Sequence, residues 1–363
     1  MACRVLKCSP DSLESSVLEE AARVIRRGGL VAFPTETVYG LGADAFNGEA
    51  VKRIFMVKGR PADNPVIVHI ASLEDLGLVA SSIPERAWSL AERVWPGPLT
   101  IVVPRNPRVP SAVSGGLDTV AVRMPAHPVA LGLIREAETP IAAPSANPSG
   151  KPSPVTAEHV VRDLCGGIDL VIDGGETFMG VESTVIDLTR DPPVLLRPGP
   201  YPVDRIEEII GARILVTDQA RGLGAAERPL APGMKYRHYS PDTPLILVES
   251  PDLESLASAV EAEALRRLSS GMRVAVIASE ETRPTYSRLG RLGAIILTLG
   301  SRRDLPGIAR KLYHALRRVD ELGVDIAIVE GYPEDGIGLA VMNRLRKAST
   351  KRIVAGFGLH RHF

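Results

Sequence analysis

Three apolar runs near the middle of the chain, at residues 170–173, 183–188 and 194–197, read as strands too close together for helical crossovers. Parallel neighbours need a connection of about a dozen residues or more, whereas antiparallel ones need only a turn. A wholly parallel sheet is therefore not expected here. Upstream, helical and extended patterns alternate. Residues 15–27 carry Val17, Leu18, Ala21, Val24 and Ile25 at helical spacing and stop at Gly28-Gly29. A short strand at 30–33 is closed by Pro34, and further strands are predicted at 66–70, 99–103, 119–123 and 141–143. Helices are predicted over 50–57, 85–94, 128–136 and 157–164. The expectation is a mixed α/β sheet with helices.

After Arg197-Pro198-Gly199-Pro200 a helix (203–210) and a strand (213–216) lead into residues 222–244, whose glycines and prolines read as an extended linker. Met234-Lys235-Tyr236-Arg237-His238-Tyr239 concentrates aromatic and basic groups there. A spacer that needed only reach would not carry them, so the linker is expected to touch a site. From Leu245 a second rhythm begins, with buried strands predicted at 245–248, 274–277, 295–299 and 326–329 and long helices over 253–268 and 305–322. Strand–helix–strand units at this spacing imply a small parallel, doubly wound sheet. No GxGxxG follows its first strand, and the chain has no GxxxxGK[ST].

Composition removes several functions. The 43 basic and 43 acidic side chains cancel, which argues against a polycation or an acidic solvating chain. No apolar run reaches the ~18–20 residues of a membrane span. The first residues, from Met1 to Lys7, lack the apolar core of a signal peptide, so the expected location is cytoplasmic. Cys3, Cys8 and Cys165 are expected to form neither a paired framework nor a metal site. With 35 Arg, 8 Lys and one Gln, the chain leans towards a heat-adapted source.

Three clusters break the bland pattern of the first half. Pro34-Thr35-Glu36-Thr37-Val38-Tyr39-Gly40-Leu41-Gly42 follows a strand directly, where open α/β sheets put ligands, although a polar turn is an equal reading. Lys58-Gly59-Arg60-Pro61 closes a helix, and Asn64-Pro65 and His69 follow. A point charge and a planar fork suit a polyphosphate, yet they also cap carbonyls. The run from Ala142 to Ser153 holds small residues, hydroxyls and Asn147, so backbone donors can approach a ligand closely. Arg123 and Arg197 end strands. No GxSxG and no dense carboxylate cluster occur, so the residues alone point to an ATP-using or anion-binding α/β enzyme.

In order and spacing, PTETVYGLG, KGRP-x-x-NPVIVHI, VRMP, APSANPSGKPS, STVIDL and LRPG resemble the YrdC-like family of threonylcarbamoyl-adenylate synthases. APGMKYRHYSP and the domain after it resemble the family's long, two-domain form. The resemblance implies a YrdC-like mixed, twisted open sheet over 1–202, a linker contacting the active site over 203–243, and a Rossmann-like doubly wound domain over 244–363. It implies a nucleotidyltransferase that joins L-threonine, bicarbonate or CO2, and ATP carrying Mg2+, with release of pyrophosphate. A separate transferase complex then moves the product's threonylcarbamoyl group to the adenosine 3′ of certain tRNA anticodons. Direct tRNA binding stays open, as do a double-stranded RNA or tRNA binding module without turnover and another carbamoyl-transferring enzyme. By the family pattern Lys58, Arg60, Ser145 and Asn147 are catalytic. Lys58, Thr119, Ser145, Ser153, Arg197 and Tyr236 bind ATP, while Thr35, His69, Arg123, Ala143 and Ser183 bind threonine. No protein side chain is expected to ligate the metal.

Overall fold

The structure is a computed structural model in which residues 3–224 and 238–356 are described. They fall into two units, one of residues 3–149 and 153–224, the other of 150–152 and 238–356. The first unit contains β1 (Arg4–Lys7), β2 (Val31–Phe33), β3 (Gly40–Asp44), β4 (Ile67–His69), β5 (Leu99–Pro104), β6 (Thr119–Arg123) and β7 (Ile141–Ala143). It continues with β8 (Leu170–Asp173), β9 (Thr184–Asp187), β10 (Val194–Arg197) and β11 (Leu215–Val216). All eleven form one sheet in the order β1-β8-β2-β3-β7-β4-β6-β5-β9-β10-β11. The sheet is mixed, as the strand spacing requires. β9 and β10 pair antiparallel, while β9 lies parallel to β5 rather than beside β8.

Two helical layers cover the first strands, and the period-two alternation of side chains decides which residue meets which layer. Val31, Phe33, Ile141 and Ile172 face Leu18, Ile25, Leu133 and Ile134 of the helices Ser15–Arg26 and Pro128–Ala137. Ala32, Leu41 and Val171 face Ile54, Val160 and Leu164 of Gly48–Lys58 and Ala157–Leu164. Each fully buried Leu, Ile or Phe contributes about 1.5–3 kcal/mol to holding these layers.

β1 and β3 were absent from the sequence expectation. β3 reads Gly-Leu-Gly-Ala-Asp and lacks the apolar alternation that marks a strand. Gly42 is there for close packing: a Cβ on it would lie 2.7 Å from both Ile141 Cγ2 and Phe33 Cε1. The cysteine expectation is also corrected. Cys3 and Cys165, 162 residues apart, form a disulfide, and Cys8 is a free, buried thiol. Parallel pairing of Arg4 with Leu170 brings the start of β1 beside the chain that leaves helix Ala157–Leu164, a proximity that sequence spacing does not reveal.

The second unit contains β12 (Leu245–Glu249), β13 (Val274–Ala278), β14 (Ile295–Thr298), β15 (Ile326–Glu330) and β16 (Lys351–Val354), ordered β14-β13-β15-β12-β16. Every pairing is parallel, giving the doubly wound sheet expected, with β16 added at its edge. Helix Leu253–Ser269 covers one face through Leu256, Val260 and Ala264. Alternate residues such as Leu247, Ile277 and Val329 are buried outside that cluster, as are Leu312, Leu316 and Leu345 of the helices Leu305–Glu321 and Gly338–Ala348. Among the described residues no helix is long and apolar enough to cross a membrane.

Gly42→Ala is expected to destabilise the chain by about 1–3 kcal/mol, because Phe33 and Ile141 are both fixed in the sheet. Urea unfolding midpoints of the two proteins check this.

Candidate active site

Strand register assembles most of the site. His69 on β4 and Arg123 on β6 are register partners on parallel neighbours, so their side chains leave the same face. Thr119, four residues earlier on β6, shares that face. Thr100 of β5 reaches across to Ser183, with their hydroxyl oxygens 2.8 Å apart. Arg197, at the end of β10, donates from Nη2 to Ser183 Oγ at 3.1 Å and from Nε to the Ser183 carbonyl at 3.0 Å. A polar stripe thus crosses the sheet from β4 to β10, beside Ile67, Val102, Ala121 and Val185 on the same face.

The turn between β2 and β3 closes one side of this stripe. Arg123 Nη1 donates to Thr37 Oγ1 at 2.9 Å, and Nε donates to the Gly97 carbonyl at 3.2 Å. Thr35 Oγ1 lies 2.9 Å from Thr37 Oγ1 and donates to the Val38 carbonyl at 2.6 Å. With the Thr35 proton committed there, the Thr37 hydroxyl donates to Thr35, and the chain of donors runs one way from Arg123. Glu36 Oε1 sits 2.6 Å from Arg123 Nη2, with both side chains at most 7% exposed. Among the described residues that contact is an ion pair without hydrogen-bond geometry, and Glu36 Oε2 and His69 Nδ1 have no hydrogen-bond partner. Burial, and secondarily the Arg123 charge, push the His69 pKa down to about 3, so its imidazole is neutral at neutral pH.

The loop after β7 forms the other wall. Leu41 N donates to the Pro144 carbonyl at 2.8 Å, and Ala146 N donates to the Tyr39 carbonyl at 2.9 Å. These bonds fix Ala143 and the following turn against β3. Lys58 ends helix Gly48–Lys58, where Gly59 takes the left-handed conformation at φ 59°. Lys58 is 3% exposed, and its ammonium donates to the carbonyls of Ser145, at 2.5 Å, and of Asn147. Burial first, and the nearby Arg60 charge second, hold the Lys58 pKa well below the lysine range. Arg60 turns to the backbone of the next loop, donating to the Asn64 and Pro65 carbonyls at 3.0 and 2.7 Å. Ser153 donates to Glu182, whose neighbour in the chain is Ser183.

Lys58, Ser145 and Asn147 are thus in direct contact, with Arg60 close to Lys58, and Thr35, His69, Arg123 and Ser183 border one stripe. Tyr236 lies outside the described residues. Sequence reasoning gave no role to Glu36, Thr37, Asn64, Thr100 or Glu182. All five are buried, and among the described residues the Asn64 amide has no hydrogen-bond partner for its nitrogen or its oxygen. A carboxylate and an amide inside apolar motifs were the available signals, but only the contacts reveal what they face.

Comparison with known proteins agrees over both units. The family model Sua5_yciO_yrdC, described as "Telomere recombination", matches residues 23–199, and that of the "Threonylcarbamoyl-AMP synthase, C-terminal domain" matches 202–350. A threonylcarbamoyl-AMP synthase of Pyrococcus abyssi is 53% identical over 95% of this chain and 97% of its own length. One of Bacillus subtilis is 48% identical over 93% of this chain and 94% of its own. The crystal structure of P. abyssi Sua5 complexed with L-threonine superposes with a TM-score of 0.89 at 50% identity, covering 97% of this chain and 99% of that one. The chain belongs to the threonylcarbamoyl-AMP synthase family.

The depressed His69 pKa has a consequence for acid stability. Between about pH 6.5 and 3 the unfolded chain binds a proton at this residue that the native site refuses, so stability falls as pH drops through that window. His69→Gln should remove up to ~1.4 kcal/mol per pH unit of that dependence, measured by urea unfolding at pH 7, 5 and 4.

Proposed function

We propose that this chain is a nucleotidyltransferase that makes L-threonylcarbamoyl-adenylate from L-threonine, bicarbonate or CO2, and ATP, releasing pyrophosphate. The observation that carries this reading is the 3.1 Å contact of Arg197 Nη2 with Ser183 Oγ. Arg197 is assigned to the nucleotide and Ser183 to the amino acid, so the two substrates would meet within one hydrogen bond. Holding both in register is the main service an adenylation needs, because it turns a two-body encounter into a local step.

In this account Arg123 takes the threonine carboxylate, while Thr35, His69, Ser183 and the backbone at Ala143 surround the rest of the amino acid. Neutral His69 offers the substrate hydroxyl a partner without adding charge. The amine takes up CO2 as a carbamate, whose oxygen attacks the α-phosphorus as pyrophosphate leaves. Thr119, Ser153 and Arg197 hold the nucleotide. Lys58 and Arg60 neutralise the phosphates, and Ser145 and Asn147 orient them. A polyphosphate beside Lys58 supplies the counter-charge that burial alone denies its ammonium.

Magnesium carried in by ATP supplies further neutralisation of phosphate charge. Among the described residues no group of three His, Cys, Asp or Glu side chains could hold such an ion. Phosphate and water oxygens would form most of its shell, with neutral oxygens of Ser145 and Asn147 beside it. The linker residue Tyr236 is assigned to cover the pocket and protect the carbamate and mixed anhydride from water. The product serves a downstream transferase complex that modifies the adenosine 3′ to the anticodon, and the enzyme works in the cytoplasm.

Lys58→Ala and Arg60→Ala are each expected to lower threonine-dependent pyrophosphate release by about 100-fold or more, the scale of removing one charge-stabilising group, with unchanged circular dichroism. Turnover near that of the parent protein would defeat the assignment.

A further inference from the structure

We infer that Glu36 makes the amino-acid subsite select a zwitterion over a simple carboxylate anion. The inference rests on the synthase reading above and adds a specificity-determining residue to it. Glu36 is 6% exposed and Arg123 is 3% exposed, so the two charges face each other out of water. A buried guanidinium alone would draw in any small carboxylate. With Glu36 2.6 Å from Nη2 the pair carries no net charge. The other groups on this wall are the hydroxyls of Thr35, Thr37 and Ser183 and the His69 imidazole, which is uncharged. His127, which lies close enough to feel the Glu36 charge, is likewise held in its neutral form by burial.

Charge balance alone would describe an ordinary structural ion pair, but its hydrogen bonding does not fit one. The two groups are close yet misaligned. Among the described residues, Glu36 Oε1 and Arg123 Nη2 meet only each other, as an ion pair without hydrogen-bond geometry, and Glu36 Oε2 meets no donor, although all three atoms are buried. Buried polar atoms without an aligned hydrogen bond are costly, more so when charged, and native interiors keep few of them. Their complement is a ligand that brings a cationic donor to Glu36 and an anionic acceptor to Arg123. An α-amino acid in its zwitterionic form carries both on one carbon. A hydroxy acid of the same shape brings the carboxylate to Arg123 but leaves Glu36 without its cation and adds an unbalanced negative charge. Specificity of this kind works by penalising the wrong ligand as well as rewarding the right one.

The test is calorimetric titration of L-threonine and of the matching 2,3-dihydroxybutyrate, in which a hydroxyl replaces the ammonium, into the full-length protein, Glu36→Gln and Glu36→Asp. The parent protein should prefer threonine. Glu36→Gln should shrink the ratio of the two dissociation constants by at least ~10-fold, as expected for loss of one charge-assisted hydrogen bond. Glu36→Asp, which keeps the charge, should retain most of the preference even if both ligands weaken. Equal weakening of both ligands in Glu36→Gln, with the ratio unchanged, would make Glu36 merely structural and overturn the inference alone. A parent protein that binds no threonine would overturn the synthase reading and this inference with it.

Discussion

A guanidinium taken out of water needs a counter-charge and partners for its N–H groups, and the arrangement around Arg123 follows from that need. Its neighbour on β4 is His69, neutral and unable to help. The counter-charge therefore comes from the turn after β2, where Glu36 and Thr37 are adjacent in sequence and both reach the same side chain. That turn keeps its shape because Thr35 bonds within it and β3 returns antiparallel to β2. On that return, glycine at position 42 lets β3 fit closely between Phe33 and Ile141. One buried cation thus ties together a strand register, a turn sequence and a glycine.

The same principle explains the opposite wall. Lys58 is buried without a carboxylate in contact, so its ammonium spends its hydrogens on the Ser145 and Asn147 carbonyls. These bonds pin the loop in which Ser145 and Asn147 lie. The cost is a depressed pKa. The zero net charge of the whole chain says nothing of this. Residues 1–200 carry 19 basic and 23 acidic groups, and it is the local grouping of a few cations that matters.

Much of this was legible in the sequence, for reasons that can be stated. Strands such as Thr119–Arg123 and Val194–Arg197 announce themselves because they are buried and apolar up to a terminal arginine. The crowding of β8, β9 and β10 foretold a mixed sheet. β3 was illegible because Gly40 and Gly42, the second placed for close packing, erase the alternation by which a strand is recognised. β16 was illegible because it is an edge strand with little buried surface. The Cys3–Cys165 pairing depends on which strands become neighbours, a property of topology rather than spacing. Glu36 stood inside a motif singled out at the start, yet its importance lies in a partner 87 positions away.

The central claim is that one site joins an amino acid to a nucleotide through a carbamate. Mass spectrometry of the product formed from ATP, threonine and isotopically labelled bicarbonate tests it most directly. The account predicts threonylcarbamoyl-adenylate with the bicarbonate carbon incorporated, formed only when all three substrates are present. Hydrolysis of ATP without incorporation of threonine or the labelled carbon into an adenylate would contradict it.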